Sequence, residues 1–328
     1  MFTTVILSLY STRLILEILG AEDYGIYSLV GGVVAMLSFI TNALITTTQR
    51  FVSYYHGKND FAKLKQVFNN SLILHIGLGL IITIILFLVG FFLFDGFLSI
   101  PIDRLYAAEW VYRIVVFTIF ITFLTAPFKA LLVSHENIIY ISIIDIIDGI
   151  LKAIIALLLS NIAYDKLIFY AILLGLISLF NFIAFILYAF NRYEECSMPK
   201  MSLFKYSYIK ELFDFAWWNI YSTGCVVGRT QGIAIIINKF YGTIYNAAYG
   251  VAFSVSSAIQ FLSSSLCNAM NPQIMKAEGG SNRGLMLRLS EIESKFGFLL
   301  IAIVGIPCLF EMETILNIWL LKIEKLEK

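Results

Sequence analysis

The chain has 328 residues, 59% of them hydrophobic and 14% charged, and a formal net charge of +1, with a mean hydropathy of +0.85. That balance excludes an ordinary soluble domain and describes a polytopic membrane protein. A charge so near zero gives no sign of nucleic acid as a partner.

A membrane helix needs about 20 mostly apolar residues, and nine segments supply them, so the expected fold is all-α. They run roughly over 1–19, 25–52, 71–94, 111–133, 138–161, 166–190, 212–238, 244–275 and 296–319. The chain opens inside the first of these, and its first basic residue, Arg13, follows the apolar run, which is the reverse of a signal peptide's order. The first helix is thus expected to be short or the chain to start late. Pro127, Pro272 and Pro307 fall late in or inside helices and invite kinks. Trp110, Trp217, Trp218 and Trp319 lie near helix ends, as interfacial anchors do.

Lysine and arginine set the orientation. One set of connections holds Arg50, Lys58, Lys63, Lys65, Lys129, Arg192, Lys200, Lys205, Lys210, Lys276, Arg283, Arg288 and Lys295, while the other holds Arg104, Lys166 and Lys239, with Arg113 at a helix edge and three lysines in the C-terminal tail. The richer side is expected to be cytoplasmic by the positive-inside rule. Segments 58–70 and 283–295 alternate charged with apolar residues, which predicts short amphipathic helices at that surface. The polar stretch 191–211 reads as a cytoplasmic linker between an N-terminal lobe at 1–190, with six helices, and a partial C-terminal lobe at 212–328, with three.

The chain contains one stretch twice. An offset of 222 superimposes Gly20 on Gly242, Tyr27 on Tyr249 and Gly57 on Gly279. In the first copy small or polar residues recur at Gly31, Ala35, Ser38, Asn42, Thr46 and Gln49, and in the second Phe253, Ser257, Gln260, Ser264, Asn268 and Asn271 occupy the same places. Steps of three and four keep residues on one helical face, so each copy is expected to be a membrane helix with one polar face. Such a face must turn toward other helices or a watery cavity. Close helix packing is the plain reading of Ser38, Asn42, Thr46, Gln49, Ser257, Gln260, Ser264 and Asn268. A cavity shared by two pseudo-symmetric lobes is the functional one. By this symmetry a full second lobe would carry six helices, so the chain reads as about three quarters of a symmetric transporter.

The Leu-Gly-x-Glu-Asp-Tyr-Gly turn at Leu19 to Gly25, the Gly31–Gly32 pair and the Thr-Gln-Arg-Phe run at Thr48 to Phe51 carry a resemblance to a known family. The stretch Asn238 to Gln260 shares it. The chain closely resembles polysaccharide flippases of the O-antigen type, in the MATE-like superfamily that also holds multidrug exporters and the lipid II flippase. The resemblance implies two six-helix lobes around a central cavity and transport by alternating access. The implied cargo is an undecaprenyl-pyrophosphate-linked oligosaccharide, moved from the inner to the outer leaflet of a bacterial inner membrane. Membrane lipids and other polysaccharide-assembly proteins would be further partners.

A pyrophosphate needs cations, and arginine grips phosphate oxygens bidentately. Arg13 and Arg229 stand in the first helix of each lobe and are the candidates, although Glu17 could neutralise Arg13 one turn away. Asp145, Asp148 and Lys152 share a face of the fifth helix, where charge is costly. They read as an ion-coupling site or as an internal Asp148–Lys152 pair. Asn181 could bind sugar hydroxyls or a neighbouring helix. The four cysteines, Cys196, Cys225, Cys267 and Cys308, and the three histidines, His56, His75 and His135, share no short spacing, so no disulfide framework, metal site or other cofactor is called for. No enzyme constellation stands out, and the alternative to a flippase is a cation-coupled multidrug exporter.

Overall fold

The computed structural model describes residues 2–97, 100–159 and 165–315, and the described residues form helices joined by short corners. They are α1 (Phe2–Gly57), α2 (Phe61–Phe92), α3 (Leu105–Ser134), α4 (Ile138–Leu158), α5 (Lys166–Arg192), α6 (Tyr206–Tyr241), α7 (Thr243–Gly279) and α8 (Arg283–Phe310). α1 is two helices joined at Gly20, whose φ of 79° and ψ of 168° interrupt the helical run. Among the described residues each of the nine segments expected from sequence is therefore helical, and five of the helices, or six with the bent pair in α1, are long and apolar enough to cross a membrane. A further bend of 42° separates Glu22–Gly32 from Leu37–Gly57.

The segments 58–70 and 283–295 are not separate surface helices. Residues 61–70 and 283–295 form the first turns of α2 and α8, which run on into the apolar stretches that follow, and 58–60 form the corner before α2. No glycine or proline stands between Phe61 and Ile76, so nothing stops the helix once Asp60 has capped it with a bond from the Lys63 amide, 3.1 Å. α6 likewise begins at Tyr206, ahead of the expected 212.

The chain divides into two compact units, Met1–Gly224 and Cys225–Lys328, so α6 passes through the boundary. In the first unit α3 is the central helix: 56% of its apolar stretch is buried, against 17% in α2 and 28% in α5. Ala107, Ala108, Val111, Val115, Ile119 and Phe123 of α3 meet Ile26, Val30 and Leu44 of α1, Leu86 of α2 and Leu167 and Ala171 of α5. A second cluster, around Phe68, Phe128, Leu131, Leu132 and Phe185, closes the other end of the bundle. Pro127 is buried within α3. In the second unit α7 and α8 pack together, with Gly297 beside Ser263.

One corner recurs three times. Asn59, Glu136 and Ser281 have φ of 54°, 61° and 56°, and the next residue, Asp60, Asn137 or Asn282, caps the following helix with its side-chain oxygen. The backbone bonds match as well: Asp60 N to Tyr55 O, Asn137 N to Leu132 O and Asn282 N to Ala277 O. Each corner satisfies the orphan carbonyls of one helix and the orphan amides of the next in three residues.

Candidate functional site

The two polar stripes point away from the bodies of their own units. Ser38, Asn42 and Thr46 of α1 are exposed and Gln49 is half-buried, while Thr41, Thr47 and Thr48, on the opposite face, are buried in the first unit. In α7, Ser257, Gln260, Ser264 and Asn268 are all exposed. Thr46 and Ser264 return their hydroxyls to the backbone, on Asn42 O at 3.0 Å and Phe261 O at 3.0 Å. The amides of Asn42, Gln49, Gln260 and Asn268 bond to no other described residue, so their donors and acceptors are available to something outside their own unit.

The charges of α4 are paired. Lys152 Nζ lies 2.7 Å from Asp148 Oδ2, and Asn181 of α5 donates to Asp148 Oδ1 at 2.7 Å. Asp145 faces Lys129 of α3 at 3.6 Å. Lys129 is thus inside a helix, five residues before its end, and has an intramolecular partner. The Arg13 side chain lies outside the described residues, as does Trp319. Arg229 of α6 is exposed and pairs with no acid among the described residues. Trp110, Trp217 and Trp218 are exposed at 40%, 56% and 68%, in keeping with interfacial anchors. The four cysteines are free.

Two clusters that the sequence did not reveal tie the first unit together at its opposite ends. At one, the Arg104 guanidinium before α3 bonds Asp23 of α1 through Nε, 2.7 Å, and through a second, shorter contact. It also reaches Asp165, 2.9 Å. Asp165 in turn caps α5 by accepting from Leu167 N and Ile168 N at 3.0 and 3.2 Å. One planar fork therefore joins three helices.

At the other end the segment after α5 is strapped to the bundle. Asn69, fully buried, donates to Lys200 O at 3.2 Å and accepts from Lys200 N at 2.7 Å. Its neighbour Asn70 donates to Leu203 O at 3.0 Å and accepts from Lys205 N at 3.0 Å. Each amide thus satisfies both a donor and an acceptor of a backbone without regular structure. Nearby, Glu195 Oε1 lies 2.5 Å from His135 Nε2. The His135 ring stacks on Tyr193 at 4.2 Å and lies 4.6 Å from the tilted ring of His56. Burial pushes the Glu195 carboxyl up, but the bond from His135 and the neighbouring imidazoles hold it below the usual range. Burial beside this carboxylate pushes the Cys196 thiol up to about 12.

Within the bundle Thr48, Ser71 and His75 form a buried polar chain: Thr48 Oγ1 and Ser71 Oγ are 2.5 Å apart, and His75 Nδ1 lies 2.8 Å from Ser71 O.

Residues 1–158 match the MatE family model. No curated protein matches the sequence. Among solved structures, the chain is similar to a MOP superfamily transporter from Pyrococcus furiosus, described as having a binding pocket of reverse polarity that suggests a different function. The TM-score is 0.76 at 15% identity, over 94% of this chain and 69% of that one. A MATE protein in the straight conformation gives a TM-score of 0.73 at 16% identity, over 95% and 70%. An outward-facing multidrug resistance MATE family transporter gives 0.73 at 16%, over 94% and 69%. The chain therefore has the MATE transporter fold, of which it spans about seven-tenths of the length.

Proposed function

We propose that this chain is a membrane transporter that works by alternating access, its two units carrying the polar faces of α1 and α7 that solvate a cargo in transit. The observation that carries this reading is the pair of outward-facing stripes on equivalent helices. In a membrane helix, exposed amides without internal partners must meet a cargo, water or another helix. The match to the MatE family over residues 1–158 supports it.

For the cargo, the comparisons fit a cation-coupled multidrug exporter at least as well as a lipid-linked oligosaccharide flippase, and the exporter is the first reading. The likeness to the multidrug resistance transporter supports it. The flippase is the second reading. It is favoured by the Leu19 to Gly25 and Thr48 to Phe51 motifs and by Arg229, a cation with no acid partner among the described residues that suits a pyrophosphate. Asp145 and Asp148 would couple ions only by exchanging their lysine partners for the ion.

The test is expression in two strains, one lacking its own drug exporters and one lacking its own lipid-linked oligosaccharide flippase. Resistance to organic cations with no restored surface polysaccharide supports the first reading, and the converse result the second. If the protein is inserted in the membrane and neither phenotype appears, both cargo assignments fall.

A further inference from the structure

A cleft of about 450 Å³ opens between the end of α2 and the start of α3, remote from both polar stripes in sequence and confined to the first unit. Its walls are Phe87, Phe91, Phe94 and Tyr112, and its charged residues are Asp95, Glu109 and Arg113. Gly90 makes the shape possible: a Cβ there would stand 2.6 Å from Tyr112 Cε1, so any larger residue would force the tyrosine out of place. Tyr112 is held by its hydroxyl, which donates to Leu86 O at 2.6 Å, and by Phe94, edge-on at 5.5 Å. The floor of the cleft is thus the buried pair Gly90 and Tyr112, and its rim is exposed.

Its position along the helices fixes its depth. Trp110, exposed beside the Arg113 guanidinium at 5.6 Å, marks the level where membrane meets water. Phe91 and Phe87 of α2 lie about one and two turns before Asp95, which sits in the wider π turn Leu93–Phe97 that continues α2, and they are 65% and 51% exposed, so the apolar part of the cleft descends into hydrocarbon. Only an amphiphile matches a charged mouth at headgroup level with an aromatic wall below it.

The charges select the headgroup. Glu109 is paired with Arg113 at 3.0 Å, whereas Asp95 pairs with no cation among the described residues. The mouth therefore carries one uncompensated negative charge beside an accessible guanidinium, and aromatic rings favour an ammonium nearby. A head bearing both an ammonium and a phosphodiester satisfies Asp95 and Arg113 together. An anionic lipid would bring a second negative charge to Asp95.

We propose that this cleft is a binding site for a zwitterionic ammonium phospholipid, with the ammonium at Asp95, the phosphodiester at Arg113 and the acyl chains along Phe91 and Phe87. The site is independent of the cargo the protein moves. The test is native mass spectrometry of the purified, delipidated full chain after adding back phosphatidylethanolamine, phosphatidylglycerol or tetraphenylphosphonium. The expected result is retention of phosphatidylethanolamine over phosphatidylglycerol by about tenfold or more, as one lost charge contact in a partly dry site gives. Asp95→Asn should remove that preference and Phe91→Ala should weaken both lipids. Since both residues are exposed, unchanged thermal unfolding is expected and serves as the folding control. Equal retention of the two phospholipids, or a preference unchanged in Asp95→Asn, overturns the proposal. So does Asp95-dependent binding of tetraphenylphosphonium without phosphatidylethanolamine, which would assign the cleft to organic cations.

Discussion

Gly20 and Gly242, 222 positions apart, share a backbone conformation that only glycine adopts readily, with φ and ψ of 79° and 168° in one and 86° and −176° in the other. The helix after Gly242 ends at Gly279, and the run after Gly20 ends at Gly57, the same distance on. Asn59 and Ser281, then Asp60 and Asn282, continue the correspondence through the next corner. Each unit thus carries the same long helix between the same two breaks, and each turns a polar stripe away from its own body.

The two glycines make a direct prediction. An added Cβ meets nothing within 4 Å at either position, so Gly20→Ala and Gly242→Ala should cost only the torsional strain, about 1–3 kcal/mol each. Thermal unfolding of the single variants should fall by similar amounts. A large fall in one and none in the other would show that the two breaks are not equivalent.

Ser281 gives the opposite sign. Its φ of 56° is held by a non-glycine residue at a corner, so Ser281→Gly should stabilise the α7–α8 corner by about 1 kcal/mol, the ordinary cost of a side chain in the left-handed region. Slower amide exchange around Asn282 would report it.

How much was legible in the sequence follows from which chemistry leaves a local trace. The helices and the 222 offset were readable because membrane spans are long apolar runs and because positive φ demands glycine in both copies. The repeated corners were not, since Asn59 and Ser281 keep a conformation but not an identity, and Asp60 and Asn282 need only an oxygen in common. The amphipathic segments misled because alternation marks one buried face but not where a helix ends. Leu64, Val67 and Phe68 are buried in the bundle, and α2 continues beyond them. Arg104 meets Asp23 and Asp165 from 81 and 61 positions away, a spacing no pattern signals. Asn69 and Asn70 read as ordinary polar residues until the strap they hold is seen. The bond from Asn181 to Asp148 was foreseeable only as one of two roles.

The strap should loosen when its clamp is cut. Asn69→Ala leaves the Lys200 N–H and C=O without their partners, a loss of about 1–3 kcal/mol. Faster exchange and protease cleavage between Cys196 and Lys205, with the α3 core unchanged, is the expected outcome. Global unfolding would mean that the strap is part of the core rather than laid on it.

The Glu195–His135 contact predicts a pH dependence with a definite sign. The folded carboxyl lies below its ordinary value, so its contribution is complete above the unfolded carboxylate range and is lost as pH falls through the folded value. Stability of the strap, followed by exchange at Tyr193 to Cys196, should therefore hold near neutrality and decline in acid. Glu195→Gln should be weaker at neutral pH and lose that part of the acid dependence. An identical acid profile in the variant would exclude Glu195 as its source.

The stripes provide the prediction closest to function. Gln260→Leu and Asn268→Leu place apolar groups where the amides have no partner among the described residues, so they leave no buried group unsatisfied within the second unit and should barely change its stability. Transport should nevertheless fall by about tenfold if those amides solvate the cargo, since leaving a polar group of the cargo unsatisfied in a dry path costs about 1–3 kcal/mol. The same substitution at Asn42 tests the equivalent face of α1. Transport at the wild-type rate in all three variants would return the stripes to the role of helix packing, and the proposed path would have to lie elsewhere.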